Sequence, residues 1–414
     1  MTYFIQKHFI FIAFALMAGA CTRITDPIPF SQRRQLNTEE TKLVSSDNRF
    51  GIKIFKELSQ SSPDSNVFIS PLSISMALGM TLNGAAGETR LAMEKTLELY
   101  GLTQQEINQS YLSLITLLSQ LDPKVAFKIA NSIWYRDDLS FKQEFIDINK
   151  YYFNARVESL NFSDPGSILK INQWVFDQTH GKIKKMINQI DPNDIMFLIN
   201  AIYFKGIWTY QFDPQLTQED QFYHPAGHTI TCQLMHQERN FFYLEDNDIQ
   251  AVELPYGNGD FRMAIILPKK EVSLQNLISN ITHEQLINWL GSFQTCQGVL
   301  EFPKFKFAYK KKLNDILGKL GMGVAFDPIN ANFSNLYEGL GNAFISLVMH
   351  KSFIQVDEEG TEAAAATSVT ITLTSAGSDK FIMRVVRPFL FVLYDKPSQT
   401  VLFVGKITEP QWEN

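Results

Sequence analysis

From residue 48 onward the chain switches repeatedly between helical and strand periods of hydrophobicity. Ser70-Pro71 followed by Leu72 to Asn83 predicts a helix, with proline in the first turn where its missing N–H is harmless. Thr89 to Glu98 and Ile168 to Thr179 predict two more. Phe197 to Phe204, Ala251 to Leu254, Arg262 to Leu267, Leu300 to Phe307 and Val401 to Val404 predict strands, being rich in β-branched or aromatic residues and bounded by Gly, Pro or Asp. Helices concentrate in the N-terminal half and strands in the C-terminal half, which predicts an α+β fold. No Gly/Ser tract, charge block or internal repeat divides the sequence after Asn48, so residues 48–414 are expected to form one domain.

One segment has two leanings. In Asp357-Glu-Glu-Gly-Thr-Glu-Ala-Ala-Ala-Ala-Thr-Ser-Val-Thr-Ile-Thr-Leu-Thr-Ser375 the alanine run favours helix, whereas Val369 to Thr374 alternates strictly and favours strand. As a strand it would present Thr361, Ala363, Ala365, Thr367, Val369, Ile371 and Leu373 to one side. That side carries neither proline nor charge, so it can be buried in the middle of a sheet. Periodicity alone favours an ordinary amphipathic strand that always belonged to the sheet.

The first twenty residues differ from the rest. Lys7 and the apolar run Phe9 to Met17 have signal-peptide length, too short to span a bilayer, and Ala18-Gly19-Ala20 precede Cys21. The arrangement resembles a lipobox in which Cys21 is lipidated, although Ala18 stands where leucine is usual; an ordinary cleaved signal is the alternative. Residues 1–20 are thus expected to be a leader and 21–47 a polar linker, with an exported product that is lipid-tethered or released. Cys232 and Cys296 remain. They read as two small buried hydrophobes, with pairing open to an exported protein.

Composition narrows the function by exclusion. The 414 residues are 45% hydrophobic and 19% charged, enough for a large core. A net charge of −6 offers no basic footprint for nucleic acid. There is no Gly-x-Ser-x-Gly elbow and no P-loop. His283-Glu284 opens like a zinc motif, but Ile287 occupies the second ligand position, which leaves a helix start. Neither a metal nor another cofactor is expected, and the chain is not read as an enzyme.

Several ordered motifs then resemble one family, the serpins. Glu358-Glu359-Gly360-Thr361-Glu362-Ala363-Ala364-Ala365-Ala366-Thr367 is similar to the hinge of an inhibitory serpin. Asn66-Val-Phe-Ile-Ser-Pro-Leu-Ser-Ile, Gly84-Ala-Ala-Gly-Glu-Thr89 and Asn200-Ala-Ile-Tyr-Phe-Lys-Gly-Ile-Trp208 resemble further family stretches. Arg387-Pro-Phe-Leu-Phe391 and Val404-Gly-Lys-Ile407 resemble the closing strands. The likeness covers roughly Asn48 to Pro410.

The resemblance implies three sheets, eight or nine helices, a metastable native state and an exposed reactive loop. It implies a monomer whose partner is a serine protease, held covalently as an acyl-enzyme when the cleaved loop enters the main sheet. Residue by residue, Ser70, Ser73, Asn200 and His350 resemble a polar cluster that controls sheet opening. Trp208 resembles the aromatic where the loop enters, and Glu358 and Lys304 a salt-bridging pair at the top of that sheet. For His350 a satisfied core histidine is the plain alternative.

Counting fourteen residues beyond Gly360, as the family does, puts the scissile bond at Thr374-Ser375 with Leu373 in the preceding subsite; counting back from Pro388 would place it nearer Gly377. No Arg or Lys lies between Thr361 and Asp379, which disfavours a trypsin-like target. Elastase-, chymotrypsin- or subtilisin-like enzymes are expected instead. A serpin that serves as a carrier, chaperone or binding module is the alternative.

Overall fold

In the computed structural model the described residues are 34–191, 193–339, 343–361 and 380–413. The first helix, Thr38–Ser61, begins inside the stretch expected to be linker. Asn37 caps it: its side chain accepts from Glu40 N at 2.8 Å, and the Glu40 carboxylate accepts from Asn37 N at 2.8 Å. Expectation failed here because part of the buried face is polar. Ser46 donates to Glu98 O, Asp47 accepts from Tyr111, and Asn48 holds Gln399 O and Val401 N, so no clean apolar period marks the first turns. A boundary at 47/48 would cut this helix.

Helix Pro71–Leu82 is capped by Ser70, whose Oγ accepts from Ser73 N, and every residue in it is buried. A helix apolar all round must lie inside the molecule, and this one packs against Thr38–Ser61 and against strands of both large sheets. Gly79 allows the close packing, since a Cβ there would sit 2.9 Å from the Tyr111 ring. Gly87–Thr96 and Pro165–Gln178 are the other two anticipated helices. His283–Gly291 is a helix capped by Thr282, which accounts for the His283-Glu284 pair. Nine α-helices occur among the described residues.

The strands form three sheets. The largest runs Val67–Ile69, Thr400–Ile407, Phe389–Asp395, Phe261–Pro268, Ile249–Pro255, Thr229–Glu245, Gln294–Pro303, Phe381–Arg384, with Gln218–Tyr223 paired to Thr229–Glu245. A six-stranded sheet runs Phe305–Lys312, Leu347–Val356, Gly360–Thr361, Met196–Ile207, Val125–Arg136, Arg156–Leu160. Tyr337–Glu338 and Ser140–Phe141 make a small third sheet. The stretch expected as one strand, Leu300 to Phe307, is two: Gln294–Pro303 lies in the first sheet and Phe305–Lys312 in the second, with Lys304 alone between them.

The main apolar core fills the space between the two large sheets and around the buried helices. A smaller core, with Trp134, Trp174, Phe162 and Phe197, seats helix Pro165–Gln178 on the opposite face of the six-stranded sheet.

Candidate functional site

The six-stranded sheet is closed at one end of its central pair and open beyond it. Leu347–Val356 and Met196–Ile207 run parallel and are paired from Leu347 with Phe197 to Lys351 with Ala201. Past Lys351 the two separate. At the far end Gly360–Thr361 stands between them, antiparallel to both, with Thr361 opposite Val356 on one side and Gly206 on the other.

A tight turn brings those two residues into the gap. Asp357 N donates to Gly360 O at 3.0 Å, and Asp357 Oδ1 accepts from Glu359 N and Gly360 N at 3.1 and 3.3 Å. Burial raises the Asp357 carboxyl above its ordinary value, against the opposing bonds from Gln355, Glu359 and Gly360. Gly360 is demanded by close approach: a Cβ there would lie 2.1 Å from Gly206 O. Thr361 is 2% exposed, and its hydroxyl lies 2.6 Å from the Tyr256 hydroxyl. Thr361 thus lies buried where the strand enters the gap.

Trp208 sits at the mouth of the gap, stacked on Tyr256 with centroids 4.3 Å apart. Its indole N–H donates to Asp357 O at 2.9 Å, its backbone N–H to Glu359 O at 2.9 Å, and Phe212 N donates to Glu358 O at 2.9 Å. Glu358 is held from the side chain as well. Lys304 Nζ approaches its Oε2 at 2.7 Å and Thr217 Oγ1 donates to its Oε1 at 2.8 Å. Burial alone would raise the Glu358 carboxyl; the bonds from Lys304 and Thr217 outweigh it and hold the group below its ordinary range.

Where the central strands are still paired, a polar cluster crosses the sheet to the buried helix. His350 stands opposite Asn200 in the ladder. His350 Nε2 accepts from Ser70 N at 3.3 Å, Ser73 Oγ donates to Asn200 Oδ1, and Asn200 Nδ2 donates to Asn131 Oδ1 at 2.7 Å. Burial pushes the imidazole down to about 3, so the ring is neutral and carries its proton on Nδ1, which has no partner among the described residues. The cluster thus links strands 125–136, 196–207 and 347–356 to the start of helix Pro71–Leu82.

Ser70, Ser73, Asn200 and His350 thus come together, as do Trp208, Lys304, Glu358, Glu359, Gly360 and Thr361. Glu362, Ala363, Ala364, Ala365, Ala366, Thr367, Leu373, Thr374, Ser375 and Cys21 lie outside the described residues. Four contributors were not anticipated: Tyr256, Asn131, Thr217 and Trp412, whose ring lies 5.2 Å from Lys304 Nζ. Tyr256-Gly257 followed by Gly259 marks a turn, but nothing in the sequence ties it to residue 361. Cys232 is a free, buried thiol that burial pushes up to about 11, so it is not joined to Cys296.

A family model described as Serpin (serine protease inhibitor) matches residues 45–410. The chain belongs to the serpin family. An uncharacterised serpin-like protein of Thermococcus kodakarensis is 34% identical over 377 residues, covering 90% of this chain and 87% of the relative. Leukocyte elastase inhibitor A of Mus musculus is 32% identical, covering 89% of this serpin and 100% of the relative. The crystal structure of the thermophilic serpin tengpin in the native state superposes with a TM-score of 0.82 at 34% identity, covering 94% of this chain and 99% of that one. Human thyroxine-binding globulin complexed with its hormone gives 0.83 at 28% identity, covering 90% and 100%. Membership carries the general function of the family, protease inhibition. Among the described residues no helix is long and apolar enough to cross a membrane.

Proposed function

We propose that this serpin is a suicide-substrate inhibitor of elastase-, chymotrypsin- or subtilisin-like serine proteases. The observation that carries the reading is the position of Gly360–Thr361, a strand already begun in a gap between two parallel strands. Everything needed to continue it follows in the sequence, because Ala363, Ala365 and Thr367 share the parity of buried Thr361 and are small.

In the proposed reaction the protease serine Oγ attacks the carbonyl carbon of Thr374. The Thr374–Ser375 amide breaks, the new Ser375 amine leaves with a proton from the protease histidine, and an ester joins Thr374 to the enzyme. The freed strand then extends from Thr361 between the two central strands. About a dozen inserted residues gain ladder bonds and bury their inward side chains, together worth on the order of tens of kcal/mol before ordering costs. The ester persists because water attack demands ångström-level positioning in the protease, which the dragging motion destroys.

A carrier reading draws on the likeness to thyroxine-binding globulin. Small inward residues at 363, 365 and 367 favour inhibition over it. The leader-like pattern of residues 1–20 supports an exported protein, lipid-tethered at Cys21 or released, and the family likeness supports a monomer. Incubation with a protease panel and mass spectrometry tests the proposal: a covalent, SDS-resistant complex ending at Thr374 is expected, and Ala365→Arg converts the inhibitor into a substrate. Plain turnover by every protease tried would sink it.

A further inference from the structure

The outer edge of the six-stranded sheet offers a second place where a strand can be added. Val125–Arg136 pairs with Met196–Ile207 from Val125 to Tyr135, yet Arg156–Leu160 covers its other side only from Ser132 to Arg136. Among the described residues, nothing pairs with that side from Val125 to Asn131. Arg136 N bonds to Ile195 O on the inner neighbour. In an antiparallel ladder this direction alternates, so even-numbered residues face that neighbour and Phe127 and Ile129 aim their main-chain N–H and C=O outward. Seven residues of edge span roughly 20 Å.

This edge borders a cavity of about 580 Å³. Its walls differ by side. Toward the main core lie Ile115, Phe127, Ile129 and Val157; toward the outer face lie Lys128, Arg156 and Trp174. Lys150 borders the same space. Arg156 is held by Glu158, which also binds Lys170, while Lys128 and Lys150 are exposed and have no carboxylate within ion-pair distance among the described residues. The cavity therefore combines main-chain partners, an apolar side and a surplus of positive charge.

We propose that this edge binds an extended acidic peptide segment of a partner protein, added as a strand whose apolar side chains face Ile115 and Val157 and whose carboxylates face Lys128 and Lys150. Main-chain bonds supply affinity, and alternate side chains supply selectivity. The chain's own leading segment does not suit, since Arg23, Arg33 and Arg34 outweigh Asp26. One strand separates the start of this edge from the hinge, since Gly206 pairs with Val125 on one side and Thr361 on the other, and occupation of the edge does not rest on the inhibitory reading.

The test is fluorescence anisotropy of the full chain with a labelled acetyl-Val-Glu-Val-Glu-Val-amide probe. Binding is expected that weakens by about tenfold or more in Lys128→Glu/Lys150→Glu and at high salt. Ile129→Pro, which removes an outward N–H and spares the inner ladder, and N-methylation of alternate probe amides should each cause a similar loss. The two chemical changes fall on different molecules, so misfolding of one variant cannot imitate the pattern. Equal binding of a probe with lysine in place of glutamate would overturn the proposal. So would binding indifferent to N-methylation, or occupation by dodecanoate with no binding of the peptide.

Discussion

Lys304 Nζ lies 2.7 Å from Glu358 Oε2, joining the single residue between the two large sheets to the turn that starts the inserting strand. Removing Lys304 leaves a largely buried carboxylate with the Thr217 hydroxyl as its remaining side-chain donor among the described residues. Lys304→Ala is expected to destabilise the protein by about 1–3 kcal/mol, more than Thr217→Val, which leaves the cation in place. Denaturant unfolding of both variants measures this; equal, negligible losses would contradict it.

Gly360→Ala should expel the hinge from the gap, because its Cβ would meet Gly206 O at 2.1 Å. The amides of Trp208 and Phe212, which donate to Glu359 O and Glu358 O, then lose their acceptors. Hydrogen exchange should quicken at those two amides, while Leu198 and Ile199 in the closed half of the ladder stay protected. Unchanged protection at Trp208 would show that the turn tolerates a side chain.

Tyr256 and Thr361 share one buried hydroxyl contact, 2.6 Å long. Tyr256→Phe and Thr361→Val should each cost about 1 kcal/mol or more by stranding the other group, and the double variant less than their sum. A double-mutant cycle showing strict additivity would mean the contact does not hold the hinge.

His350 sets a pH dependence of known sign. The folded ring titrates at about 3, against an ordinary value of 6.5, because it is buried. The unfolded state therefore binds the extra proton in that window. The ring's contribution to stability is complete above pH 6.5 and is lost as pH falls toward 3, at about 1.4 kcal/mol per pH unit once the unfolded histidine is protonated. His350→Gln keeps an acceptor for Ser70 N and removes the slope. Unfolding free energies from pH 7 to 4 should converge between the two proteins, whereas parallel curves would remove His350 as the cause.

Much of the site was legible because its residues are local in sequence or belong to compact motifs. The hinge turn needs Asp, Glu and Gly within four positions, and Ser70-Pro71 announces a capped helix by itself. The unread parts depend on distance. Tyr256 reaches Thr361 across a strand junction, and Asn131 meets Asn200 only once two strands pair. Helix Thr38–Ser61 was hidden by its own buried polar face, where Ser46, Asp47 and Asn48 find partners 52, 64 and 351 residues away in sequence only after folding. Strand Leu300 to Phe307 read as one because a lone lysine, without Gly or a turn, marks the passage from one sheet to another.

On the proposed reading, the segment after Thr361 is a spare strand. Limited proteolysis within residues 362–379, verified by mass and followed by thermal unfolding of the nicked protein, tests it most directly. The nicked protein is expected to unfold at least about 10 °C higher than the intact one, because insertion completes the sheet. An unfolding temperature that is unchanged or lower would contradict it.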